Sequence, residues 1–119
     1  ALQHVRDQWF GLVAISVTVT QASNNPPDSE ATFRVQRIVE ECVANAVRHG
    51  GAGHIDIAVE VSENDLSVVV IDDGQGLRPD TSPVEGLGTH LMRAHASGGF
   101  SRESSSSGGC IVLARVLLM

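Results

Sequence analysis

Four polar side chains stand at helical spacing within the segment Glu40–His49. Glu41, Asn45 and His49 are four residues apart, and Arg48 is three residues after Asn45. This spacing places all four along one stripe of a helix. Carboxylate and amide oxygens are hard ligands for magnesium, and guanidinium and imidazole groups can contact phosphate oxygens. The stripe therefore suits a magnesium-bound triphosphate, although an isolated Glu-x-x-x-Asn spacing is more often an ordinary solvated helix face.

A second polar cluster ends an apolar run. The sequence Asp72-Asp73-Gly74-Gln75-Gly76 comes directly after Leu66–Ile71. A carboxylate at a strand end can accept a hydrogen bond from the exocyclic amine of adenine. Glycines beside it let the backbone approach a flat base. The cluster therefore suits the base of a nucleotide.

A third element, Gly86-Leu87-Gly88, precedes a predicted helix, whose free backbone amides can meet phosphate oxygens. Two other phosphate motifs are excluded. Pro79 lies where a dinucleotide-binding motif would have its third glycine, and the chain has no Gly-Lys-Ser/Thr sequence of a P-loop. The three elements together predict a nucleotide site, which the helical stripe alone does not.

The apolar periodicity predicts the elements that position these residues. Alternation predicts a first strand over Leu12–Thr20, and apolar residues three and four apart predict a helix over Glu30–His49. Asp28 or Ser29 can cap that helix. Alternation from Ile55 to Val61 and the turn Asn64-Asp65 then predict a hairpin.

The second strand of this hairpin, Leu66–Ile71, is apolar on both faces, which is typical of a strand near the centre of a covered sheet. A second helix is predicted over Leu87–Ala96. A last hairpin ends in the strand Ile111–Leu118, with Ser104–Ser107 at its flexible end. This order predicts an α+β fold, a two-layer α/β sandwich with helices on one face of a mixed sheet.

The composition of the chain limits which binding partners and which cellular compartment we expect for this protein. The 119 residues suffice for one domain over 1–119, and the net charge of -6 argues against nucleic acid and anionic lipid as partners. Cys42 and Cys110 lack metal-ligand spacing, so we interpret both as core residues of a reduced, cytoplasmic protein. No apolar run reaches the roughly 18 residues that span a bilayer, so we expect no membrane contact by this domain. The abrupt start suggests a piece of a longer protein, which could itself be membrane-anchored.

The aromatic residues and the remaining histidines receive structural interpretations. We expect four aromatic side chains to pack in the fold: Trp9, Phe10, Phe33 and Phe100. We expect four histidines to lie on solvated surfaces: His4, His54, His90 and His95.

The three polar elements resemble the motifs of the ATP-binding domain that sensor histidine kinases share with gyrase-type ATPases and MutL proteins, the GHKL or Bergerat fold. The segment from Ile38 to His49 resembles the N box, Asp72–Gly76 the first glycine box, and Gly86–Met92 the second. The Glu four residues before Asn45, the Asp-Asp-Gly sequence and the short lid over Leu77–Glu85 resemble kinases of the nitrate-sensor and desaturase-sensor type.

This resemblance implies a role for each matching residue. Asn45 would hold Mg²⁺ together with Glu41, and Glu41 would also orient or deprotonate a water or metal-bound group. Arg48 and His49 would contact phosphates, and Asp72 would read adenine. The remaining ATP-binding positions implied are Gly74, Gly76, Gly86, Leu87, Gly88, Thr89 and Cys110. ATP and Mg²⁺ are the implied cofactors.

The implied reaction is transfer of the γ-phosphate to a phosphoacceptor histidine that this chain does not contain. The implied partners are the phosphoacceptor and dimerisation helices of the same kinase and a response regulator. Two alternatives remain: a serine kinase of the anti-sigma-factor type, and a nucleotide-binding interaction module without catalysis. The chain departs from the family in reading Gly109-Cys110 where Gly-Thr is usual, and Met92-Arg93-Ala94-His95 where an acid is usual.

Overall fold

The computed structural model describes residues 14–21, 28–48, 53–74, 95–104 and 109–118. These residues form one helix and five strands: β1 Ala14–Gln21, α1 Ser29–Arg48, β2 His54–Val61, β3 Asp65–Asp72, β4 Gly99–Ser104 and β5 Cys110–Leu117. The predicted bounds of β1, α1 and the β2–β3 hairpin are correct to within two residues wherever the chain is described. Most of the predicted second helix, over Leu87–Ala96, lies outside the described residues.

The strands form a mixed sheet in the order β1-β2-β3-β5-β4. β1 and β2 are parallel, because the chain returns through α1 between them, and the other neighbours are antiparallel. β3 is the central strand, as its continuous apolar sequence predicts. The predicted sandwich of a mixed sheet with helical cover on one face is therefore confirmed.

Asp28 begins the helix, which confirms one of the two predicted caps. Its Oδ1 accepts a hydrogen bond from the backbone N of Ala31 at 2.7 Å, and its carbonyl oxygen accepts one from the N of Thr32 at 3.1 Å. The side-chain bond satisfies an amide that has no partner within the helix, and the carbonyl bond is the first backbone bond of the helix. Glu30 in the first turn adds a favourable charge at this end.

The core lies between α1 and one face of the sheet. Alternate residues of β2, β3 and β5 point toward the helix, as the period-2 pattern predicts. The largest fully buried side chains are Ile38, Ile55, Ile57, Val39, Val43, Val68, Val70 and Val116. Cys42 and Cys110 are buried in the same layer, which confirms that both are core residues.

The opposite face of the sheet has no helix over it among the described residues. Ile71, Leu113 and Leu117 are exposed there, beside a shallow groove of about 310 Å³ that Gly99 and Ser101 help to line. The groove is thus separated from the helix-covered face by the sheet itself. None of the described helical residues forms a segment long and apolar enough to cross a membrane.

Two predictions about side-chain environments are wrong. Phe33 does not pack in the core but is 55% exposed on α1. Its ring lies edge-on to the ring of His95, and the two ring centroids are 6.1 Å apart. His95 in turn is not fully solvated, because its Nδ1 is buried and has no hydrogen-bond partner within the described structure. Phe100 does pack against the core, as predicted, and His54 does face solvent.

Candidate nucleotide-binding site

Asp72 is the last residue of the central strand. In the sheet it is paired with Ile55 of β2 on one side and Cys110 of β5 on the other. The alternation along β3 places Asp72 on the same face as buried Val70, the face that α1 covers. Its Oδ1 accepts a hydrogen bond from the backbone N of Gly74 at 2.9 Å, so the carboxylate is held against the turn that follows.

Gly109 supports this strand end from the start of β5. A β-carbon at position 109 would overlap the carbonyl oxygen of Asp72 and would stand 3.2 Å from the Cα of Asp73. Backbone atoms cannot yield as a flexible side chain can, so only glycine fits. Gly109 was not among the residues predicted for the site. Its position directly before Cys110, a predicted site residue, is the feature of the sequence that could have indicated it.

Asp73 is a second residue outside the predicted set. Its Oδ1 accepts hydrogen bonds from the backbone N of Gly53 at 2.9 Å and of His54 at 3.0 Å. The bonds from His54 and Gly53 lower the pKa of the Asp73 carboxyl, because they stabilise its charged form. The feature of the sequence that could have indicated Asp73 is that it directly follows Asp72, so that two acidic residues stand side by side.

The helical stripe approaches the same strand end. Glu41 and Asn45 are half-buried at the margin of the apolar face of α1. Cys42, which lies between them in the sequence, is buried, and burial raises the pKa of its thiol. Smaller effects come from Cys110, from Arg102 in the opposite direction, and from the charges of Asp72 and Glu41. The thiol therefore lies within electrostatic reach of both the helix carboxylate and the strand-end carboxylate.

Several predicted site residues lie outside the described part of the chain. α1 ends at Arg48, of whose side chain the structure says nothing. The others outside the described ranges are His49, Gly76, Gly86, Leu87, Gly88 and Thr89, together with the predicted lid over Leu77–Glu85. Among the described site residues, the structure brings Asp72, Gly74 and Cys110 together. Glu41 and Asn45 are half-buried on α1, the helix that covers the same face of the sheet.

The oxygen atoms of Glu41 and Asn45 can be compared with the ligands that Mg²⁺ prefers. Within the described ranges, no group of three or more His, Cys, Asp or Glu side chains could hold a metal ion on its own. Glu41 and Asn45 supply two oxygen donors one helical turn apart, which suits a hard cation that takes its other ligands from phosphate and water. The residues therefore fit Mg²⁺ bound with a nucleotide.

Residues 30–118 match the family of histidine kinase-, DNA gyrase B- and HSP90-like ATPases. The chain belongs to this family. Relatives at 35% identity over 81 residues include the sensor histidine kinase YvrG of Bacillus subtilis and a DNA topoisomerase 4 subunit of Pseudomonas aeruginosa. The alignments cover 67% and 66% of this chain, and in both cases the chain spans only 13% of the relative's length.

Solved structures of histidine kinases share the fold of this GHKL domain. The ATP-binding domain of PrrB from Mycobacterium tuberculosis superposes with a TM-score of 0.70 at 22% identity, over 98% of this chain and 88% of that one. The blue-light-activated histidine kinase EL346 of Erythrobacter litoralis gives 0.71 at 27% identity, over 98% and 44%. The five-stranded mixed sheet under α1 is therefore the Bergerat ATP-binding fold.

Proposed function

We propose that this GHKL domain is the catalytic domain of a two-component sensor histidine kinase, binding Mg-ATP and donating its γ-phosphate to a histidine on another segment or chain. The observation that carries the proposal is the position of Asp72. Its carboxylate ends the central strand on the helix-covered face, and both it and Glu41 of α1 act electrostatically on the buried Cys42 thiol. This position supports a base-reading role for Asp72 close to the helix that carries the proposed magnesium ligands.

Each residue has a definite part in this proposal. Asp72 accepts a hydrogen bond from the exocyclic amine of adenine, through an oxygen lone pair that is not used by the bond from the Gly74 amide. Asn45 and Glu41 hold Mg²⁺, which neutralises the phosphate charge when bound. Arg48 and His49 contact the phosphates, and the segments around Gly76 and Gly86-Leu87-Gly88-Thr89 supply backbone amides to them.

The transfer itself needs positioning more than covalent chemistry by the protein. The bond between the γ-phosphorus and the bridging oxygen of ADP breaks, and a bond to an imidazole nitrogen of the acceptor forms. Glu41 orients the attacking group and receives its proton. The acceptor helices belong to the same kinase, and a response regulator is the expected next recipient of the phosphoryl group.

The subtype belongs to the proposal as well. The Glu at 41, four residues before Asn45, and the Asp72-Asp73-Gly74 sequence support a kinase of the nitrate-sensor or desaturase-sensor type. The sensor kinase LnrJ of Bacillus subtilis, 38% identical over 69 residues, is a relative compatible with a sensor-kinase assignment.

Calorimetric titration tests the nucleotide site. The wild-type chain and its Asp72→Asn variant are titrated with a non-hydrolysable ATP analogue and Mg²⁺. We expect the substitution to weaken binding about 100-fold, because it removes a charged acceptor and turns an amide donor toward the adenine amine. Asp56→Asn, which changes an exposed aspartate on the opposite face of the sheet, is the matched control and should bind as the wild type does. Equal affinity of wild type and Asp72→Asn would contradict the adenine assignment.

The reaction is tested on the full-length parent protein with γ-labelled ATP. A histidine kinase yields acid-labile label on histidine, and Glu41→Ala lowers its rate more than its nucleotide affinity. Acid-stable label on serine of a separate protein would instead identify the serine kinase. Nucleotide binding without transfer, unchanged by Glu41→Ala, would identify the interaction module, and release of phosphate to water would identify an ATPase.

A further inference from the structure

We propose that Asp73 is a positioning residue for nucleotide binding: its carboxylate clamps the start of β2 to the end of β3 and thereby fixes how Asp72 presents its own carboxylate. The inference rests on the proposed function, because it gives Asp73 a role in the site that Asp72 forms. Asp73 itself faces solvent and reads no part of the nucleotide in this proposal.

The clamp is made of three hydrogen bonds between two short backbone segments. Oδ1 of Asp73 accepts from the amides of Gly53 and His54 at 2.9 and 3.0 Å, and the Asp73 amide donates to the carbonyl oxygen of His54 at 3.2 Å. Bonds to a carboxylate are stronger than bonds between neutral groups. The end of β3 is therefore held one residue beyond Asp72, the last residue paired in the ladder.

Other strand ends are tied to the same point. The carbonyl oxygen of Gly53 accepts a hydrogen bond from the amide of Ala14 at 3.0 Å, so the first residue of β1 is fixed to the clamped segment. Gly109 packs against the carbonyl of Asp72 from the side of β5. Four strands thus meet around two aspartates, and a shift in any of them would move the backbone that carries the Asp72 side chain.

The direction of the Asp72 carboxylate depends directly on this backbone. Its Oδ1 is bonded to the amide of Gly74, two residues along, so the peptide at position 73 lies inside the ring that this bond closes. Strand ends open more readily than strand centres. If the clamp is lost, residues 72–74 gain freedom and the carboxylate loses its fixed orientation, which costs affinity because binding must restore the order.

The clamp also holds Gly53 and His54, the first described residues after the helix that carries the proposed magnesium ligands. α1 ends at Arg48, and Gly53 is the first described residue after it. Holding Gly53 and His54 therefore fixes where the chain enters the sheet after α1.

The same hairpin provides a matched control at its far end. Asp65, the first residue of β3, accepts a hydrogen bond from Ser62 Oγ at 2.6 Å and forms an ion pair with Arg115 at 2.7 Å. The bond from Ser62 is the main cause that lowers the pKa of the Asp65 carboxyl. Asp65 thus anchors one end of β3 as Asp73 anchors the other, but it lies a full strand length from Asp72.

The experiment compares the wild-type chain with Asp73→Ala, Asp73→Asn and Asp65→Ala. Each is titrated with a non-hydrolysable ATP analogue and Mg²⁺ well below its unfolding midpoint, and amide hydrogen exchange is followed at Gly53 and His54 without nucleotide. We expect Asp73→Ala to bind about tenfold more weakly and to exchange both amides faster. Asp73→Asn keeps an oxygen that can accept from both amides, so its affinity should stay within about threefold of wild type. Asp65→Ala should keep the wild-type affinity even where its midpoint falls.

Three results would overturn the inference. Wild-type affinity in Asp73→Ala, with faster exchange at Gly53 and His54, would reduce Asp73 to a purely structural residue. An equal loss in Asp65→Ala would mean that general destabilisation causes the effect. A wild-type chain that does not bind the analogue would overturn the proposed function and this inference with it, whereas the first two results would leave the proposed function intact.

Discussion

Gly109 packs so closely on Asp72 that a β-carbon at position 109 would stand 2.7 Å from the carbonyl carbon of Asp72. The two residues belong to neighbouring strand ends, those of β5 and β3, and the partner of Asp72 in the ladder is the next residue, Cys110. The backbone of the proposed adenine-reading residue therefore depends on the absence of a side chain on the adjacent strand.

The Gly109→Ala substitution should accordingly weaken both the fold and the site. The added methyl must push the end of β3 away from β5, and overpacking of this kind costs about 1–3 kcal/mol of unfolding free energy. We expect a lower unfolding midpoint and at least about tenfold weaker nucleotide binding. Thermal unfolding and calorimetric titration measure the two effects.

Two other glycines separate these effects. Gly53→Ala adds a methyl that meets none of the described residues within 4 Å and keeps the backbone amide that bonds to Asp73, so it should change neither property. Gly98→Ala would place a β-carbon 2.9 Å from the Cβ of Arg115, so it should lower stability without a change in affinity. Equal affinity in Gly109→Ala and Gly98→Ala would show that the packing at Asp72 does not matter to the ligand.

Cys110→Thr should strengthen nucleotide binding. Position 110 is buried directly across from Asp72, and a hydroxyl there can share a hydrogen bond with the carboxylate or the base that it reads. A neutral hydrogen bond contributes about 1 kcal/mol, which corresponds to about fivefold in affinity. Cys110→Val, which has the branched shape without the hydroxyl, is the control, and a similar gain in both variants would assign the effect to packing.

His95 should make stability depend on pH below neutrality. Partial burial, with the positive charges of Arg34 and Arg37, lowers the pKa of His95 from its ordinary 6.5. The unfolded chain therefore binds the proton more readily than the folded one. The stability that neutral His95 contributes is complete above pH 6.5 and is lost as the pH falls from there toward the folded-state pKa.

The measurement is the free energy of unfolding by urea at a series of pH values. Wild type should lose stability on going from about pH 7.5 to about pH 5, and His95→Gln should lose less over the same window. Identical slopes for the two proteins would mean that the half-buried ring does not couple folding to the proton.

Asp28→Ala should destabilise the helix without touching the site. Loss of the bond to the amide of Ala31 leaves a helix donor without its cap, which costs about 1 kcal/mol. Asp28→Ser keeps a capping oxygen and should recover most of this free energy. Thermal unfolding reports the difference, and affinity for the ATP analogue should be the same in all three proteins because the cap lies at the opposite end of α1 from Asn45.

The secondary structure could be predicted well because periodicity directly reports which face of each element is buried. The apolar stripe through Val35, Ile38 and Val39 predicts α1, and alternation predicts β2. The prediction for Phe33 was wrong because it rested on residue type and not on angular position. Phe33 lies off the buried stripe defined by Ala31 and Val35, on the side of the helix that faces away from the sheet.

The site was only partly predictable for a different reason. Asp72 and Asn45 carry their chemistry in their own side chains, so type and spacing suggest them. Asp73 and Gly109 act through contacts with segments distant in sequence, and those contacts depend on the register of β3 against β2 and β5. Register is set by the whole ladder, and no local pattern around either residue specifies it.

The pairing of Asp72 with Cys110 joins the two ends of a long stretch of chain that includes the second glycine box and β4. Each doubling of a flexible connection adds only about 0.6 kcal/mol of loop-closure entropy. Inserting residues between Gly74 and His95 should therefore add little to the free-energy cost of pairing Asp72 with Cys110. An insertion that keeps Gly76 and Gly86-Leu87-Gly88-Thr89 would thus change the surroundings of the proposed nucleotide and leave the sheet unaltered.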